Sequence, residues 1–259
     1  MRFLAIIGCV LALSGCDHKP SPDTLVIGTI AGPETELVEV AKAQAFKDKG
    51  LRVKIVEFSD YNLPNEALVD QSLDANVFQH LPYLKKVMRA RGYPFEIFGR
   101  TFIYPMGLYS AKFKTVETLP NGATIAIPND PSNEARALKL LQQAHLITLK
   151  HKASPSLDDI RRNPKQLVFK SIDAAQLPRI LPDVDGAVIN TTFAIPSGLS
   201  PSRDALFLET KDSPYANLIV IRQDSPKKAQ LKQFVEAMHS TAVKEKAKTL
   251  FGDGAIPAW

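Results

Sequence analysis

Apolar positions in this chain switch between a period of two and a period near three and a half, and the switching sketches a repeating unit. Leu25, Val26 and Ile27 form a short apolar strand, residues 28–32 a loop, and Pro33 opens a helix that closes at Gly50. Leu51, Val53 and Ile55 alternate with polar residues as a second strand, residues 64–73 have helical spacing, and 75–78 supply a third strand. Strands alternating with helices predict an α/β protein with a parallel sheet. A helix over 81–91 ends at Gly92, and 95–98 and 102–108 are apolar and extended. The pattern then restarts with a strand at 124–127, a turn at 128–131, and a helix over 132–144 capped by Ser132 or Asn133. A strand at 167–169, a helical stretch over 173–181 interrupted by Pro178, and a strand at 186–190 ending in polar Asn190 complete the second module. Near the end, 218–221 is a strongly apolar strand, and Ser225-Pro226 opens a helix with Leu231, Phe234, Val235 and Met238 on one face. Two successive modules of this kind imply two lobes.

The first sixteen residues follow a different pattern. Arg2 precedes an apolar run over 3–13 that is too short for the ~20 residues a membrane-spanning helix needs, so 1–15 is expected to be a signal peptide. The run ends in Leu13-Ser14-Gly15-Cys16, which resembles the lipobox of bacterial lipoproteins and makes Cys16 the expected lipidation site. Residues 16–23, with Pro20 and Pro22, then form a lipidated cysteine and tether. Cys9 lies in the removed segment, which leaves no partner for an intramolecular disulfide. The expected location is the bacterial envelope, lipid-anchored to the membrane. Asp17 beside the cysteine resembles an inner-membrane retention signal, which would face the chain to the periplasm.

Composition narrows the function by exclusion. With 259 residues, 45% of them hydrophobic, the chain can bury a substantial core. A net charge of +5 is spread among acidic residues without a basic block, which argues against nucleic acid as a partner. There is no Gly-x-Ser-x-Gly elbow, His-Glu-x-x-His pair or Gly-rich phosphate loop, and the five histidines, His18, His80, His145, His151 and His239, lack metal-ligand spacing. The sequence therefore predicts neither an enzyme nor a metal or cofactor site.

Polar residues at strand ends are where open α/β sheets bind ligands. Three such segments are Phe78-Gln79-His80-Leu81-Pro82-Tyr83, the run from Ala126 through Asn129-Asp130-Pro131-Ser132-Asn133 to Arg136, and Ala187-Val188-Ile189-Asn190-Thr191-Thr192. With Asp212-Ser213-Pro214-Tyr215-Ala216-Asn217-Leu218, they closely resemble signature segments of the NlpA lipoprotein family, the methionine-binding proteins of methionine ABC importers. The resemblance runs from the lipobox to the carboxyl end. It implies a type II periplasmic-binding-protein fold: two α/β lobes joined by two crossover strands, with a ligand cleft between them. Lobe I would be discontinuous, 24–105 and 212–259, and lobe II would span 106–211.

By the same resemblance, Arg136 faces the ligand carboxylate, where a guanidinium fork matches two oxygens. Asn190 and Asn217 lie near the amino and carboxylate groups, and Asn133 sits at a helix amino terminus. Tyr61, Phe78, His80 and Tyr83 would surround the methionine side chain, since sulfur against aromatic edges is favourable. Spacing alone allows blander roles: a solvent-facing Arg136, a capping His80, a core Phe78 and two turn asparagines. Ala216 and Phe193 depart from the family pattern, where a larger aliphatic residue and a tyrosine are common. The implied partners are methionine or a related amino acid, an ABC permease with its ATPase, and the membrane through the lipid anchor, with the chain itself a monomer. The rival functions are a receptor for another small amino acid or short peptide, and a periplasmic enzyme or envelope scaffold on the same fold.

Overall fold

The computed structural model describes residues 23–210 and 214–259. The signal peptide, Cys16, the tether up to residue 22, and Asp212 lie outside those residues.

The first βα unit follows the sequence pattern closely. Thr24–Ile30 (β1) leads through Pro33–Lys49 (α1) to Arg52–Phe58 (β2), and Leu63–Val69 (α2) leads to Ala75–His80 (β3), with β1 parallel to both neighbours. The helix end at Gly50 is left-handed, φ 66°, and its N–H donates to the Phe46 carbonyl. At the other end of α1, Gly32 has φ 142°, and a Cβ there would lie 3.1 Å from Pro196 Cγ and 3.4 Å from the Thr192 carbonyl oxygen. The α2 helix stops at Val69 instead of continuing to Leu73, because Gln71 takes a left-handed conformation at φ 64° and turns the chain back into β3.

Leu81–Arg91 (α3) is followed by one nine-residue strand, Phe95–Ile103 (β4), in place of the first half of two separate extended runs. After a break at Tyr104, Pro105 and Met106, the chain forms Gly107–Tyr109 (β5), Thr124–Pro128 (β6), Pro131–Gln143 (α4), the small hairpin Thr148–Leu149 (β7) and Ile160–Arg162 (β8), and Val168–Ile172 (β9). Leu177–Ile180 (α5), Gly186–Ile189 (β10), Thr191–Ala194 (α6), Pro201–Asp204 (α7) and Ala205–Leu208 (β11) complete the second sheet region. Ala216–Arg222 (β12), Lys228–Met238 (α8), Thr241–Phe251 (α9) and Ile256–Pro257 (β13) return to the first. Pro178 does not interrupt a helix; it stands in the first turn of α5, where its missing N–H costs nothing.

The strands build a six-stranded sheet, β13-β4-β12-β3-β1-β2, and a five-stranded sheet, β11-β5-β10-β6-β9. Both are mixed, which corrects the expectation of a parallel sheet. β12 runs antiparallel to β3 and β4, and β5 runs antiparallel to β10 and β11, because each crossing strand enters its sheet from the end that faces the other sheet. Where the two crossings pass, Glu209 N donates to the Met106 carbonyl at 2.9 Å, and Met106 N donates back to the Glu209 carboxylate at 3.2 Å.

Alternation along β1 explains the layering of the first sheet. Leu25 and Ile27 pack with Leu37, Val38, Leu231 and Phe234 under α1 and α8, while Val26 points the other way to Leu68, Leu84 and Phe95. The second sheet buries Ile125, Ile127 and Val188 against Leu138 and Leu141 of α4. A further apolar cluster draws from both sheet regions, with Ile30, Tyr61 and Phe78 meeting Ala126, Leu177, Ile189 and Phe193.

Asp74 ties the discontinuous sheet region together. Its Oδ2 accepts from Val26 N at 2.8 Å and from Lys227 Nζ at 2.9 Å, and Lys227 Nζ also donates to the Thr24 carbonyl. Replacing Asp74 with alanine strands a buried amide and frees the start of α8. Denaturant unfolding is expected to report a loss of about 1–3 kcal/mol.

Candidate ligand-binding site

Four strand ends meet between the two sheets. β3 ends in His80 and lies beside β12 with Asn217 opposite His80, β6 runs through Asp130 into α4, and β10 runs through Asn190 into α6. They line a common pocket between the two sheets. Tyr61, Phe78, His80, Tyr83, Asn133, Arg136, Asn190 and Asn217 all line it, so the structure brings together every described site residue that the sequence suggested. Gln79, Thr191 and Thr192, which stand in the signature segments without an assigned role, also line it, as does Tyr104, which carried no signal in the sequence pattern.

The α4 amino terminus is built differently from expectation. Neither Ser132 nor Asn133 is the cap; Asp130 is, with its Oδ1 accepting from Ser132 N at 3.2 Å and Asn133 N at 2.9 Å while Pro131 fills the first helical position. Asn133 is thereby freed to turn its side chain inward. Its Nδ2 donates to Asp130 Oδ2 at 2.8 Å, and its Oδ1 accepts from Asn190 Nδ2 at 3.0 Å. Burial outweighs these bonds and raises the Asp130 carboxyl above its ordinary range. One acceptor is left over: the buried Oδ1 of Asn190 has no hydrogen-bond partner among the described residues.

His80 fills both roles that the sequence left open, helix cap and cavity wall. Its Nδ1 accepts from Tyr83 N at 3.3 Å, which assigns the proton to Nε2, and Nε2 donates to Asn133 Oδ1 at 3.2 Å. Burial, followed by the charge of Arg136, pushes its pKa down to about 3. Around it, Tyr61, Phe78 and Tyr83 hold their ring centroids 5.8–6.0 Å from one another, and Phe193 packs on Tyr61 at 4.9 Å. Phe193, one of the departures from the family pattern, thus supports the aromatic group from behind.

Arg136 is 4% exposed, and its charge is met inside the protein. Its Nε donates to both oxygens of Glu209, at 3.0 and 3.2 Å, and its Nη2 donates to Glu209 and to the Tyr104 carbonyl at 2.9 Å. The Tyr215 ring lies 4.3 Å from the guanidinium carbon. The Nε edge of the fork is therefore already taken, and Nη1 is the guanidinium nitrogen without a hydrogen-bond partner among the described residues. Glu209 escaped the sequence reading because a single glutamate after an apolar strand looks like any strand-ending polar residue. Asn217 is held in turn by Glu34, whose Oε2 accepts from Asn217 Nδ2 at 3.0 Å.

These groups suit a small zwitterion with an apolar tail: a cationic nitrogen, an unfilled amide oxygen and an aromatic group around one pocket. Among the described residues, no cluster of three or more histidine, cysteine or acidic side chains could hold a metal. No described helix is long and apolar enough to cross a membrane.

A family model described as NlpA lipoprotein matches residues 25–259. The chain belongs to the NlpA lipoprotein family. Within that family it is 46% identical to the D-methionine-binding lipoprotein MetQ of Salmonella typhi, over 98% of this chain and 96% of the relative. Among solved structures, it resembles an ABC transporter periplasmic substrate-binding protein from Coxiella burnetii with a TM-score of 0.88 and 58% identity, over 90% of this chain and all of that one. A nutrient binding protein from Burkholderia cenocepacia bound to methionine matches with a TM-score of 0.87 and 47% identity, over 91% of this chain and all of that one. The fold is the two-lobed one of these periplasmic substrate-binding proteins.

Removing the Glu209 carboxylate leaves the buried Arg136 charge uncompensated. Glu209→Ala is expected to destabilise the fold by about 3–5 kcal/mol, read from denaturant unfolding. A titration of His80 followed by NMR should show a neutral imidazole from pH 8 down to about 4. As pH falls from about 6.5 toward about 3, the unfolded chain's imidazole takes up a proton that buried His80 refuses, so this residue's contribution to stability is lost across that window.

Proposed function

We propose that this NlpA-family chain is the substrate-binding component of an ABC importer and that its ligand is methionine, L-methionine foremost. The observation that carries the reading is the pairing of two unfilled polar groups with an aromatic group in one cavity. Arg136 Nη1 is free to meet the ligand carboxylate, and the unpartnered Asn190 Oδ1 is free to accept from the ligand ammonium. A polarizable thioether gains ~0.3–1.5 kcal/mol against an aromatic edge, which suits Tyr61, Phe78 and Tyr83 better than a charged side chain would. The names of the relatives, a D-methionine-binding lipoprotein and a protein bound to methionine, support the same ligand class.

On this proposal, lobes spanning 24–105 with 212–259 and 106–211 close around the amino acid by a hinge at the crossing segments. The closed receptor then meets a permease and its ATPase as a monomer, without chemical turnover. The chain would be held through lipid on Cys16 at the inner membrane, facing the periplasm.

Calorimetry with L-methionine, D-methionine and norleucine tests the ligand. Norleucine, which replaces sulfur with a methylene, should bind more weakly than methionine, and a norleucine affinity equal to that of methionine would count against the aromatic site. Arg136→Ala should weaken binding by several kcal/mol, and Asn190→Ala by about 1–3 kcal/mol. Unchanged affinity in both variants would dismiss the assigned polar roles.

A further inference from the structure

Behind the cavity wall lies a buried carboxyl that the binding scheme above leaves idle. Glu34 belongs to the first turn of α1 and is 3% exposed. Its Oε2 accepts from Asn217 Nδ2 at 3.0 Å, and its Oε1 accepts from Thr101 Oγ1 of β4 at 3.4 Å. Tyr104, Thr192 of α6 and Phe251 of α9 enclose it, and no described basic side chain pairs with it.

The oxygen and nitrogen of a carboxamide have nearly the same shape, so packing alone does not decide which of the two faces a ligand. A neighbour decides it. The Asn217 backbone is fixed in β12 opposite His80, and its remaining freedom is the turn of the amide. A carboxyl oxygen on one side draws Nδ2 to itself and leaves Oδ1, which has no partner among the described residues, for the cavity that Asn217 lines.

We propose that Glu34 is a positioning residue of the ligand site, holding Asn217 by its amide nitrogen so that Asn217 Oδ1 is presented as an acceptor to the ligand ammonium. The ammonium in this statement rests on the amino-acid reading above; the hold of Glu34 on Asn217 does not. Burial pushes the Glu34 carboxyl up to about 8 against the lowering effect of its bonds from Asn217 and Thr101. The hold is thus made by a neutral acid at pH 7 and becomes charge-assisted above about pH 8. Other groups in the wall stay silent in that range: His80 is neutral above about pH 3, and burial raises the Tyr61, Tyr83 and Tyr104 phenols above their ordinary value.

Two measurements on the full chain in detergent test the proposal. In nitrogen-15 NMR spectra, the Asn217 side-chain amide, identified by its loss in Asn217→Ser, should shift with a midpoint near pH 8 and should be flat in Glu34→Gln. In calorimetry at pH 7, Glu34→Gln should keep methionine affinity within about 3-fold, because its amide oxygen still accepts from Asn217. Glu34→Leu should lose at least about 10-fold, since it cannot accept at all. An Asn217 amide that ignores pH in the wild type, or Glu34→Leu binding as tightly as the wild type, overturns the positioning role. If Glu34→Leu fails to fold, the amide titration in wild type and Glu34→Gln decides. A wild type that titrates as stated but does not bind methionine refutes the ligand assignment and leaves the role of Glu34 standing.

Discussion

Keeping a guanidinium charge out of water is the demand around which this molecule is arranged. An arginine as buried as Arg136 is tolerable only when its charge and its donors are met locally, and here one carboxylate and one carbonyl do so. The helper groups come from the two crossing segments, Tyr104 from the first and Glu209 from the second, while Arg136 belongs to α4 of the second sheet region. Glu209 also closes a pair of bonds with the Met106 backbone. The charge is therefore clamped where the chain passes between sheets, and any relative motion of those sheets pivots close to it.

A second regularity concerns the amides. Each of two wall asparagines is backed by an acid: Asn133 by Asp130 and Asn217 by Glu34. The acids fix which way the amides turn, and the amides present the chosen atom. Asn190 takes its orientation one step further on, from Asn133. Buried networks of this kind are costly when incomplete, and two acceptors in this one, Asn190 Oδ1 and Asn217 Oδ1, have no partner among the described residues.

Much of the layered architecture was legible from periodicity, because β1, β3, β6 and β12 carry strong apolar runs bounded by glycine or proline. What periodicity could not give was direction. Nothing in the run at 218–221 says that it returns between β3 and β4, so the sheet was expected to be parallel and is mixed. Caps were blurred for a similar reason: Asp130, Ser132 and Asn133 all favour helix starts, and only the fixed φ of Pro131 makes Asp130 the one whose oxygen reaches back to the amides. The eight cavity residues were found through motif resemblance, which registers recurring polar residues at strand ends. Glu34, Tyr104 and Glu209 act from behind that first layer and look in sequence like a helical acid, a strand tyrosine and a strand-ending acid.

The close approach at Gly32 has a bearing on protein engineering. There the first loop of one sheet region lies so near the other that a Cβ would sit 3.1 Å from Pro196 Cγ and 3.4 Å from the Thr192 carbonyl oxygen. The approach of the two halves at that point is set by the bare glycine backbone against the Pro196 ring and the Thr192 carbonyl, away from the aromatic lining. Trimming Phe78 or Tyr83 to admit a bulkier substrate would enlarge the chamber yet leave this mechanical stop where it is, so redesign for a larger cargo has to begin at the loop and not at the aromatic lining.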